Sequence, residues 1–130
     1  MQVVKTIACG LVMLFCIANT YAQKSGCKIF HEGKFRTVNQ GKELNFTRKG
    51  NLQVQYFNKS KDATTYILKW VNDCTVTLTP DKEAKAKLTG LPKNAMLTQK
   101  IVTTNATSYT HVTSANFTKQ TITGEIYKIK

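Results

Sequence analysis

Residues 65–79 carry the clearest alternation of apolar and polar positions in the chain. Tyr66, Leu68 and Trp70 alternate with Ile67, Lys69 and Val71, and Cys74, Val76 and Leu78 alternate with Thr75, Thr77 and Thr79. Both runs are rich in aromatic and β-branched residues at period two, the signature of half-buried strands. Asn72-Asp73 between them tolerates turn geometry, so the stretch predicts a hairpin. A two-residue loop would pair Val71 with Cys74 and set Lys69 on the face of Val76. A three-residue loop over 72–74 pairs Val71 with Thr75 instead. That register gathers Tyr66, Leu68, Trp70, Val76 and Leu78 on one face and leaves Lys69 among the threonines. It is preferred, because a one-residue slip reverses every side chain.

The same pattern recurs along the chain. Residues 27–38 predict a first strand, interrupted at Gly33. After a turn at 39–42, residues 43–48 predict a second, with Leu44 and Phe46 on one face. A turn at 49–51, where Gly50 accepts positive φ, leads to a third over 52–57. There Leu52, Val54 and Tyr56 alternate with Gln53, Gln55 and Phe57. The central hairpin supplies strands four and five. Pro80 ends the fifth, and residues 80–88 suit either a short helical turn or a loop. Strands over 95–104, 107–115 and 119–129 complete the set, with Gly124 as a candidate bulge. About eight short strands at roughly ten-residue spacing predict an all-β antiparallel meander, closed or nearly closed into a small barrel.

The start of the chain breaks this pattern. Residues 6–18 are almost wholly apolar and follow Lys5, and Ala22 offers a small residue for cleavage. The run is too short for a bilayer span of about twenty residues and fits a signal peptide over 1–22, removed after Ala22. The single β domain is then 23–130. A lipid anchor at Cys27 is not favoured, since Lys24 separates it from the apolar core. Processing removes Cys9 and Cys16. Cys27 and Cys74 remain, and two cysteines in an exported chain most simply form a disulfide. Closing a loop of this length would stabilise the fold by about 4 kcal/mol in a chain-entropy treatment.

Charge narrows the partners. The chain carries 19 basic against 7 acidic residues, a formal net charge of +12. Only Arg36 and Arg48 are arginine, and the lysines are scattered. Sequence-reading nucleic-acid sites favour bidentate arginine, so sequence-specific nucleic-acid binding is not expected. The charge fits a soluble basic exported protein, with adhesion to a polyanion as the sharper alternative.

Candidate chemistry is sparse. His31-Glu32 could pair a base with its orienter, but both are expected to be solvated beside the break at Gly33. His111 reads as a strand histidine among threonines. No serine lies in a nucleophile context, no glycine-rich loop cradles phosphate, and no ligand set is spaced for a metal. No cofactor is expected. Phe30, Phe35, Phe46, Tyr56, Tyr66 and Trp70 are expected in the core, with Tyr56, Tyr66 and Trp70 as candidates to line a ligand site at the barrel mouth.

Three motifs, Cys27-x-x-Phe30-x-x-Gly33-x-Phe35, Trp70-x-x-Asp73-Cys74-x-x-x-Leu78 and Ile126-x-Lys128-Ile129, resemble a family of short exported bacterial proteins without an assigned activity. Some members carry a DNA topoisomerase label, for which this chain has neither nucleotide loop nor size. The resemblance implies a lipocalin-like small barrel and no active residues. The expected function is therefore a non-enzymatic exported barrel, not integral to a membrane, that binds a small ligand or an envelope partner. A basic polyanion-adhesion module is the alternative.

Overall fold

A computed structural model of the chain describes residues 26–57 and 61–130. The expected leader, residues 1–22, and its cleavage point lie outside the described residues. Eight antiparallel strands follow one another around a closed barrel: β1 (Gly33–Asn39), β2 (Lys42–Lys49), β3 (Leu52–Phe57), β4 (Ala63–Asn72), β5 (Thr75–Pro80), β6 (Leu97–Thr104), β7 (Ser108–Ala115) and β8 (Thr118–Lys128). Each strand pairs with its neighbours in sequence and β8 returns to β1, as the meander required.

The central hairpin adopts the preferred face. Trp70 pairs with Val76 and Leu68 with Leu78, so both rows point inward. The turn differs by one residue. Asn72 pairs with Thr75 and Val71 bulges out of the ladder. Asn72 Oδ1 accepts the Cys74 N–H at 2.9 Å, a side-chain turn that tightens the loop and leaves the extra residue to the bulge. Gln40 and Gly41, both at positive φ (52° and 77°), close the β1–β2 hairpin in the geometry that matches strand twist. Between β5 and β6 a short helix, α1 (Lys82–Lys87), forms where sequence left helix and loop open. The Asp81 carboxylate caps it by accepting the Ala84 N–H at 2.8 Å.

The first expected strand begins too early. Lys28–Phe30 is a 3₁₀ turn, not sheet. The Cys27–Cys74 disulfide, with Cα atoms 5.2 Å apart, draws this segment across one end of the barrel. Phe30 then drops inside, fully buried, while Ile29 faces out. It packs with Phe35, Phe46, Ile101, Tyr109 and Ile126, so the turn plugs the barrel's base. Gly33 makes the exit possible. At φ 132° it passes so close to the C-terminus that a Cβ would lie 2.8 Å from Lys128 Cε and 2.9 Å from the Lys130 carbonyl.

Candidate functional site

Alternation along the strands decides what faces the lumen. Phe35 pairs with Phe46, and Phe46 with Gln55; Arg48 pairs with Gln53, and Gln53 with Tyr66. The inward row of β2 is thus Leu44, Phe46 and Arg48, and that of β3 is Gln53, Gln55 and Phe57. Arg48 is 1% exposed, at the centre of the barrel. Its guanidinium donates from Nε to Gln53 Oε1 (2.8 Å), from Nη1 to the Phe30 carbonyl (3.0 Å) and from Nη2 to Gln99 Oε1 (2.8 Å). Phe35, Phe46, Trp70 and Tyr109 surround it with ring centroids at 5.2, 5.0, 5.5 and 5.8 Å. Tyr109 donates its hydroxyl to the same Gln99 oxygen at 2.8 Å. Every acceptor Arg48 meets in this set is a neutral amide or peptide oxygen. Hydrogen bonds and ring faces offset the large cost of burying the cation.

The electrostatic consequences follow. Burial lowers the Arg48 pKa, and Tyr109 opposes that shift; arginine nonetheless stays charged in proteins. Burial raises the Tyr109 pKa, and Arg48 pulls it partly back. Burial lowers the His111 pKa, and the Arg48 charge lowers it further, so this imidazole is neutral at pH 7.

Above Arg48 the barrel is hollow. A cavity of about 330 Å³ is lined on its floor and walls by Phe46, Gln53, Gln99, His111, Thr113 and Ile126. Its lining reaches the barrel's seam. β1 and β8 pair only through Phe35–Lys128 and Arg36–Tyr127, with Thr37 Oγ1 donating to the Glu125 carbonyl at 2.8 Å. Beyond these contacts the two strands do not pair, and Val38 and Asn39 of β1 line the cavity together with Ile122, Thr123 and Gly124 of β8. The volume is at the lower end of the ~300–1,000 Å³ usual for small-molecule sites.

None of the three aromatics expected at a mouth is among the residues that line this cavity. Tyr56 pairs with Asn45 on the outer face of the sheet. Tyr66 lies at a smaller, mostly apolar cavity of about 200 Å³ with Leu88, Met96 and Phe117. Trp70 closes the barrel's base, stacked on His31 with ring centroids 3.5 Å apart. His31 is therefore half-buried, not solvated, and its Nε2 donates to the Asp73 carbonyl at 2.7 Å. Glu32 is exposed, so the two do not form a base and its orienter. Sequence reasoning passed over Arg48, Gln53, Gln99 and Tyr109. One signal was present: Arg48 continues the row of Leu44 and Phe46 at period two, in a place where another apolar residue would be expected.

No family model, curated protein or solved structure matches this chain. What the site can do is set by its own geometry. The eight-stranded antiparallel barrel has the lipocalin-like shape that the sequence motifs implied. Among the described residues no helix is long and apolar enough to cross a membrane.

Proposed function

We propose that this chain is a non-enzymatic exported barrel that holds one small ligand in the cavity above Arg48. The observation that carries the proposal is the cavity itself, closed at its base by a disulfide-held plug and lined on one side by the unpaired ends of β1 and β8. Its lining of aliphatic side chains, amides and hydroxyls suits binding and orientation. The disulfide suits an oxidising compartment outside the cytosol.

Titration of the processed protein with the neutral dye N-phenyl-1-naphthylamine tests it. One dye per barrel should bind with enhanced fluorescence, and 1-octanol should compete. No dye and no octanol uptake by folded protein would end the proposal.

A second reading rests on the outer surface. Lys34, Lys49, Lys69 and Lys100 are all exposed on the strands of a chain with net charge +12. Adhesion to a polyanion would appear as retention on heparin that weakens steeply with salt.

A further inference from the structure

The hydrogen bonds around Arg48 run in one direction. A guanidinium has donors only, so Gln53 and Gln99 must turn their oxygens toward it and their NH₂ groups away. Gln53 Nε2 then donates to Gln55 Oε1 at 3.1 Å. That leaves the Gln55 NH₂ on the cavity wall, with no acceptor for it among the described residues. On the opposite wall Gln99 Nε2 donates to Thr113 Oγ1 at 3.3 Å. Thr113 Oγ1 lies 2.7 Å from His111 Nδ1. The hydroxyl has lone pairs for both neighbours, but its own proton has no other acceptor among the described residues, and the arrangement that satisfies it gives that proton to His111 Nδ1. The neutral imidazole is then the tautomer that carries its proton on Nε2. Gly124 leaves the space beside Nε2 open: a Cβ there would be 3.5 Å away.

Two relays therefore start at one buried cation, and each ends in an N–H donor that lines the cavity. One runs through β3 to Gln55 and the other through β6 and β7 to His111. Chains of this kind polarise each successive bond. The cavity floor presents donors and a positive field, and Arg48 has only neutral acceptors in its own shell.

We propose that the ligand is a small organic anion, a carboxylate on a short apolar body, with its carboxylate against Gln55 Nε2 and His111 Nε2. It would complete both relays and supply the countercharge that Arg48 lacks, while Leu44, Leu78, Leu97 and Ile122 take the apolar body. This inference rests on the ligand-binding reading above and adds the chemical class.

The test is calorimetric titration of the processed protein with octanoate, 1-octanol and octylamine. The three share one apolar chain and differ in head group. Octanoate should bind one per barrel and about tenfold tighter than octanol, the gain expected from charge-assisted hydrogen bonds. This would run against octanol's greater hydrophobicity. Octylamine should bind more weakly than either. In Gln55→Leu and in His111→Leu the ratio of octanoate to octanol affinity should fall toward one, whereas a merely structural loss would weaken both ligands alike. Octanol binding as tightly as octanoate would overturn the anion assignment and leave the ligand-binding reading standing. An octanoate preference that both variants retain would overturn the placement of the carboxylate on the two relays and put the attraction on lysines, Lys42 of the cavity lining among them. Binding of none of the three would remove both readings.

Discussion

Arg48 and Gln99, 51 positions apart, meet inside the barrel with Nη2 donating to Oε1 at 2.8 Å, and that same oxygen also accepts the Tyr109 hydroxyl. One amide oxygen thus ties β2, β6 and β7 together at the barrel's centre. Gln99→Leu should strip a buried cation and a buried phenol of their shared acceptor. The expected loss is about 3 kcal/mol in urea unfolding. Replacing the set together, Arg48→Met with Gln53→Leu and Gln99→Leu, should cost less than Gln99→Leu alone, because no unpaired charge remains. A triple variant less stable than the single one would contradict this account.

The disulfide holds the plug that carries Phe30 to Arg48. Reduction, or Cys27→Ala with Cys74→Ala, should lower stability by up to about 4 kcal/mol. It should also free the Trp70–His31 stack, seen as a change in the emission of the single tryptophan. In the oxidised protein neither thiol should alkylate without reductant.

Stability should fall at both ends of the pH scale. His111 has its folded pKa below its ordinary 6.5 because burial, and then the Arg48 charge, disfavour the protonated ring. Below about pH 6.5 the unfolded chain binds more protons, so stability declines as pH drops from there through the folded pKa. Tyr109 and Tyr66 have theirs raised above 10.0, chiefly by burial. Above about pH 10 the unfolded chain loses protons first, and stability declines again. His111→Leu should flatten the acid limb of a denaturation midpoint against pH, and the alkaline limb should stay.

Gly33→Ala should destabilise more than Gly41→Ala. Both have positive φ, but at Gly41 the space is open, while at Gly33 a methyl would meet Lys128 and the Lys130 carbonyl. The expected losses are about 1 kcal/mol at Gly41 and about 2–3 kcal/mol at Gly33. Thermal unfolding of the two variants compares them directly.

Gly124→Leu tests the cavity. Its backbone is not in the left-handed region and it lines the cavity beside His111, its partner across the β7–β8 ladder. A leucine should fit and take up part of the cavity, weakening octanol or dye binding about tenfold, with little change in the unfolding midpoint. Unchanged binding would place the ligand outside this cavity.

Period-two alternation and turn residues determined the strands and the antiparallel meander, because both are local properties of the backbone. The inward row Tyr66, Leu68, Trp70, Val76 and Leu78 followed from keeping Lys69 off the apolar face. The pairing of Cys27 with Cys74 followed from there being no other partner after the expected processing. Three things were decided only by closure. The 3₁₀ turn at Lys28–Phe30 exists because a covalent tether and a hole in the barrel's base gave Phe30 somewhere better than a sheet edge. The inward face of β3 is the glutamine row, and Tyr56 faces out, because Arg48 on the next strand needed acceptors. The cavity lies where β1 and β8 stop pairing, and these strands are at opposite ends of the sequence. No local pattern encodes a contact between residues so far apart, so the fold was legible from the chain and the site only from the barrel.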